Sequence, residues 1–246
     1  MSRLQIIEVK DLTKTYGGLF SKTPTPAIQN INLTIHSGET WAIVGPNGAG
    51  KSTTLHCLMG LFRPDSGVIR IFNQMPKDPS ARTKIGFQSE SFHTYGFQTA
   101  SEVLSYYLKL QFPNAQNINQ RIDEILKKVG LDHVKKKKVS TFSKGMNQRL
   151  GLAQSLIHDP ELIIWDEPSS GLDPEGRRLV IDLLKELKGQ KKTILFSTHV
   201  LSDIEQVCDH IAMINHGRIL LADSLDELSK KYPQKTLEDI YLDLVR

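Results

Sequence analysis

The chain has 246 residues, 39% apolar and 24% charged, with a formal net charge of +4, which suits one large domain or a core with a subdomain. No run of about 18 apolar residues occurs, which excludes a membrane-spanning helix, and the mild charge selects neither nucleic acid nor a lipid surface. Met1 to Gln5 lacks the apolar core of a signal peptide, and Cys57 and Cys208 stand in unrelated contexts without metal spacing, so they read as free thiols of a reducing compartment.

In chain order, Gln5 to Val9 is expected as a first strand, with Ile7 and Val9 alternating. A segment ending Lys14-Thr15-Tyr16-Gly17-Gly18 follows, then a polar, proline-bearing loop over 19–26. Ala27 to Ile35 alternates as a second strand, with Ile31, Leu33 and Ile35 on one face. Thr40 to Val44 is a continuous apolar run that fits a strand covered on both faces. Directly after it stands Gly45-Pro46-Asn47-Gly48-Ala49-Gly50-Lys51-Ser52-Thr53, which fills every fixed position of the phosphate-binding pattern G-x-x-x-x-G-K-[ST]. Glycines let successive backbone N–H groups point inward at phosphate oxygens. Lys51 adds a flexible charge for the β- and γ-phosphates, and Ser52 offers a hydroxyl to Mg²⁺. Leu55, Leu58 and Met59 then recur at helical spacing, so a helix opening at Gly50 or Lys51 aims its positive end at the phosphates.

Pro64-Asp65-Ser66-Gly67 marks a turn, and Val68, Ile69 and Ile71 a short strand. From Ser91 to Lys138 the pattern becomes helical. Thr99 to Glu102 fits a capping box before the stripe Val103, Leu104, Tyr107, Leu108, and a second stripe, Ile118 to Val129, stops at Gly130. Residues 91–147 are therefore read as a helical subdomain inserted in an α/β core of 1–90 and 148–223, with Lys135 to Lys138 as a solvated face. Glu161 to Trp165 is the next strand, with Trp165 in the core, and it delivers Asp166 and Glu167 to its C-terminal end, where parallel α/β sheets bind ligands. There Asp166 suits a Mg²⁺ shell and Glu167 a general base for an attacking water. Asp173 and Pro174 read as N-cap and first residue of a helix, Thr193 to Ser197 as a strand, and Ile211 to Ile214 with Arg218 to Leu221 as a hairpin about His216-Gly217. Ser224 caps a short helix in a helical tail over 224–246.

Between insert and acidic strand lies Phe142-Ser143-Lys144-Gly145-Met146-Asn147-Gln148-Arg149, which resembles the signature of ATP-binding-cassette (ABC) ATPases; Ser143 and Gly145 keep its serine and second glycine, while Lys144 and Met146 depart from its commonest form. Ser143 can also cap the helix that follows it. Tyr16 sits where that family's adenine-stacking aromatic is found, Ser170 to Asp173 looks like its D-loop, and His199 looks like its switch histidine. The site of its glutamine loop falls on Glu90 rather than glutamine, with Gln88 two residues early, and Glu90 is taken as a further ligand toward Mg²⁺.

The resemblance covers about the whole chain. It implies an α/β fold: a P-loop NTPase (RecA-like), mostly parallel core with an N-terminal antiparallel β subdomain and an inserted α-helical subdomain. It also implies ATP and Mg²⁺ as ligands, with Lys51, Glu167 and His199 catalytic. The signature residues 143–146 would act on the ATP of a second ABC ATPase subunit, most simply a second copy, with Asp173 linking the two sites. A separate integral membrane transporter subunit is expected to dock near Ser91 to Gly96 and place the chain peripherally at the cytoplasmic face of the membrane; no nucleic acid is expected. The signature, Glu90 and the tail from Thr236 to Leu242 look similar to the ABC-2 exporter group; no added carbohydrate-binding or regulatory extension is expected. The alternative is a soluble ABC ATPase acting on ribosomes or DNA, a class that commonly fuses two cassettes.

Overall fold

The computed structural model describes residues 4–17 and 25–245. β1 (Gln5–Tyr16) pairs antiparallel with β2 (Thr25–His36). The expected end of the first strand at Val9 is corrected: the alternation breaks there, but the strand does not. Asp11 adopts a left-handed φ of 49°, the ladder shifts between Val9 and Leu12, and Asn32 Oδ1 accepts the Asp11 N–H at 3.0 Å. This bulge switches the buried face from Ile7 and Val9 to Leu12. Most of the loop expected over 19–26 lies outside the described residues; Thr25 and Pro26 begin β2.

The chain continues through β3 (Thr40–Val44), α1 (Lys51–Leu58) and β4 (Ser66–Ile71), which joins the other edge of β1 to complete a three-stranded antiparallel sheet. A short α2 (Pro79–Arg82) leads to β5 (Ile85–Gln88), a strand that its four-residue length hid in the sequence. The insert holds α3 (Ala100–Gln111) and α4 (Ile118–Lys128), followed by single 3₁₀ turns at Asp132–Val134 and Val139–Thr141. Its helical span is thus narrower than Ser91 to Lys138. Thr99 opens α3 with a reciprocal capping box, its N–H donating to Glu102 Oε2 at 2.7 Å. Gly130, at a φ of 66°, ends α4 as expected.

After α5 (Lys144–Leu156) come β6 (Leu162–Trp165), α6 (Pro174–Gly189), β7 (Thr193–Thr198), a short unanticipated α7 (Leu201–Val207), and the hairpin β8 (His210–Asn215) and β9 (Arg218–Ser224). α8 (Leu225–Lys231) and α9 (Leu237–Val245) form the tail. The second sheet has the order β5-β6-β7-β3-β8-β9, parallel throughout except for β9. Side chains alternate between two cores. Ala42, Val44, Ile163 and Trp165 join the helical layer, while Trp41, Ile43, Leu162 and Ile164 join residues of β1 and β2. Burial on both faces explains the continuous apolar runs. Trp165 is fully buried, and its indole N–H donates to Ser155 Oγ of α5 at 2.8 Å, so the core tryptophan leaves no orphan donor.

Candidate functional site

β3 ends at Val44 and α1 opens at Lys51, so the glycine-rich residues 45–50 bridge a buried strand and a helix N-terminus. Gly50, the N-cap, has a φ of 109°, where an L side chain is strained, and a Cβ on Gly45 would lie 2.2 Å from the Ile214 carbonyl oxygen. The loop curls around a cleft of about 510 Å³ lined by Pro46 to Thr53 together with Tyr16, Ala27, Glu90 and Glu167. Lys51 is buried, and its Nζ donates to the carbonyls of Gly45 at 2.7 Å and Pro46 at 3.3 Å. It also stands 3.0 Å from Glu167 Oε1, an ion-pair contact without hydrogen-bond alignment.

The acids come from the end of β6. Asp166 is buried, and its Oδ1 accepts the hydroxyl proton of Ser197 at 2.6 Å. Glu167 turns the chain with a left-handed φ of 48°. Its Oε2 accepts from His199 Nδ1 at 2.8 Å, and His199 lies just past β7 with half of its ring exposed. The structure therefore brings Lys51, Glu167 and His199 together. Burial pushes the thiol of Cys57, on the inner face of α1, up to about 11, which keeps it inert at neutral pH.

Tyr16 lines the cleft from the end of β1, with its hydroxyl 3.4 Å from Thr53 Oγ1. Of the two candidates beyond β5, Glu90 lines the cleft, whereas Gln88 is buried behind it and donates from Nε2 to the Gln148 carbonyl at 3.4 Å. The signature residues lie elsewhere. Ser143 caps α5 by accepting the Met146 N–H at 3.2 Å, and none of Ser143, Lys144, Gly145 and Met146 lines the cleft. Asp173 caps α6, with its Oδ1 accepting the Gly176 N–H at 2.8 Å. Phe92, expected on an aromatic docking surface, is turned inward against the helical core, because Gly151 of α5 leaves it room; Tyr95 is 69% exposed.

Sequence reasoning did not single out Ala27, Gln148 or Ser197. Gln148 donates from Nε2 to the carbonyls of Glu167 and Pro168, both at 3.4 Å, and Ser197 contacts both acids. The one available signal for Ser197 was a hydroxyl at the polar end of an apolar strand, two residues before His199.

Among the described residues, no cluster of three carboxylate, imidazole or thiolate groups could hold a metal unaided. Ser52 and Glu90 line the cleft, while Asp166 lies buried at the end of β6 with its Oδ1 bonded to Ser197; a hydroxyl and carboxylates are the oxygen donors that suit a hard cation shared with phosphate oxygens.

A phosphate loop between a buried strand and a helix, beside a parallel strand ending in two acids, defines a P-loop nucleoside triphosphatase. The family described as "ABC transporter" matches residues 28–170. The chain is 40% identical over 226 residues to the uncharacterized ABC transporter ATP-binding protein all4389 of Nostoc sp., covering 91% of this chain and 68% of that one. It is 41% identical over 243 residues to the bacitracin transport ATP-binding protein BcrA of Bacillus licheniformis, covering 95% of this chain and 76% of that one. The dimeric, post-hydrolysis structure of the ATP-binding cassette MJ0796 bound to ADP and Pi superimposes with a TM-score of 0.83 at 28% identity, covering 89% of this chain and 99% of that one. The chain belongs to the ABC transporter family, as an ATP-binding subunit of the ATP-hydrolysing cassette type. Among the described residues, no helix is long and apolar enough to cross a membrane.

Proposed function

We propose that this chain powers export through a separate membrane-spanning subunit, in the manner of the ABC-2 group, by hydrolysing ATP between two head-to-tail cassettes. One observation carries the reading: Lys51 and Glu167 line a cleft, with His199 bonded to Glu167, that the signature residues do not reach. Each chain thus holds two half-sites, and two copies complete two whole ones. Tyr16 stacks on the adenine, the N–H groups of 45–53 and Lys51 hold the phosphates, and Ser143 and Gly145 of the second copy close on the γ-phosphate. A Mg²⁺ ion held by Ser52, Asp166 and Glu90 would supply charge neutralisation at the phosphates.

Lys51 leaves Glu167 for the phosphates when ATP enters. The freed carboxylate takes a proton from the water that attacks the γ-phosphorus, the bond to the β-bridging oxygen breaks, and ADP and phosphate leave. His199, already bonded to Glu167, orients that carboxylate and the water. Asp173 relays the state of one site to the other across the dimer.

Residues 91–147 act as the subdomain that moves with the membrane subunit. The exposed ring of Tyr95, stacked on Phe97 with centroids 5.5 Å apart, supplies the docking surface in place of the inward Phe92. This contact holds the chain at the cytoplasmic face of the membrane. The transport names of the relatives weigh against the soluble alternative on ribosomes or DNA. The test is a pull-down from detergent-solubilised membranes with tagged Glu167→Gln chain, ATP and Mg²⁺. A stoichiometric multi-spanning protein is expected; ribosomes or nucleic acid without one would overturn the reading.

A further inference from the structure

The parallel register of β6 and β7 sets Trp165 beside Phe196, so the next step along both strands brings Asp166 beside Ser197. Ser197 is fully buried. Its hydroxyl is engaged on both sides: it accepts the Glu167 N–H at 2.8 Å and donates its proton to Asp166 Oδ1 at 2.6 Å. A hydroxyl is the smallest side chain that can do both from one atom. The other side of Glu167 is tied as well, because its carbonyl accepts from the Ser170 N–H at 3.0 Å and from Gln148 Nε2 at 3.4 Å. Between these ties Glu167 holds its left-handed φ of 48°, a conformation that a residue with a Cβ keeps only where its surroundings impose it.

We propose that Ser197 is a positioning residue for ATP hydrolysis, which locks the metal-side acid Asp166 and the base Glu167 into one fixed relative geometry. The proposal rests on the reading of Glu167 as the general base. Ser197 does not touch the nucleotide cleft and transfers no proton to substrate. Its loss strips two buried partners at once, the Glu167 N–H and the Asp166 carboxylate, and lets the backbone at Glu167 relax. The carboxylate then leaves the place where it meets Lys51 and His199. The groups that line the cleft and hold the nucleotide directly, the glycine loop, Lys51 and Tyr16, do not bond to Ser197, so the larger defect falls on turnover. A threonine keeps the hydroxyl and suits the strand.

The experiment measures steady-state ATPase of the full chain together with the affinity of a fluorescent ATP analogue, for wild type, Ser197→Ala, Ser197→Thr and Glu167→Gln. Ser197→Ala is expected to lose roughly 10–100-fold in kcat, as for a misplaced catalytic group, with KM and analogue affinity within about twofold of wild type. Ser197→Thr is expected to return to within about threefold of wild type. Wild-type turnover by Ser197→Ala overturns the proposal. So does a parallel loss of nucleotide affinity and melting temperature that threonine fails to rescue, since that marks a merely structural role. Where the alanine chain does not fold, Ser197→Cys, similar in size with a weaker donor, carries the same kcat-against-KM test. Glu167→Gln separates the two ideas: brisk turnover by that variant removes the base reading itself, whatever Ser197 does.

Discussion

The nucleotide cleft and the start of α5 treat their polar groups in opposite ways. In the cleft the groups are engaged inside the chain: Lys51 with two loop carbonyls and Glu167, Glu167 with His199, and Asp166 with Ser197. At the start of α5, Ser143 and Lys144 are exposed, and Ser143 accepts only a local N–H. At the cleft and the strand ends behind it, Lys51 and the two acids are thus held by groups of the same chain. The helix start is an outward display of N–H groups with the positive end of a helix dipole behind them. This contrast is what the proposal of a site shared between two copies rests on.

The largest effect that tests this contrast comes from the cleft. Glu167→Gln keeps the shape of the side chain but cannot take a proton, so kcat is expected to fall roughly 10²–10⁴-fold while ATP is still bound. Ser143→Ala should cost roughly 10–100-fold in turnover, with nucleotide affinity of the isolated chain unchanged, because its effect is felt in the partner's site. Mixing the two variants sharpens the comparison. A mixed dimer has one doubly defective site and one intact site, so the mixture should hydrolyse ATP faster than either variant alone. A mixture no faster than its components would mean that each chain completes its own site.

The two regions are nevertheless wired together through α5. Gln148 reaches the carbonyl of Glu167, and Ser155 accepts the indole N–H of Trp165, one residue before the acids. Trp165→Phe keeps most of the buried ring but removes that bond, leaving Ser155 Oγ short of one donor. A destabilisation of about 1–2 kcal/mol is expected by denaturant unfolding, with ATP affinity little changed. Unfolding at the wild-type midpoint would show that the strap contributes nothing.

How much of this was legible in the sequence follows from range. The phosphate loop, the capping box at Thr99, the Asp173–Pro174 helix start and the β8–β9 hairpin rest on interactions a few residues apart, and the sequence shows them directly. The bulge at Asp11 depends on Asn32, which lies 21 residues away, and it made a continuous strand look finished at Val9. β5 is too short for a periodic signal and exists because β6 offers it an edge. Ser197 and Gln148 reach the acids only through strand register and helix packing, so their spacing in the chain carries no trace of the contact. Phe92 turns inward because Gly151, far along the chain, leaves it room, a cause that its local sequence does not show.

The far end of α5 gives the smallest effect and the last test of the wiring. His158 follows the helix, is mostly buried, and donates from Nε2 to the Ile85 carbonyl of β5 at 3.1 Å. Burial disfavours its charged form and holds its pKa below the ordinary histidine value, with the Ile85 bond opposing that shift. The unfolded chain, whose histidine titrates near 6.5, therefore binds a proton that the folded chain refuses. Stability from this group is complete above about pH 7.5, is lost as pH falls through 6.5, and levels off below the folded-state pKa. In His158→Gln, which can keep a donor toward Ile85, the drop in melting temperature between pH 7.5 and 5.5 should become smaller than in wild type. An unchanged drop would mean that His158 takes up a proton as readily in the folded chain as in the unfolded one, so that the α5–β5 junction is hydrated.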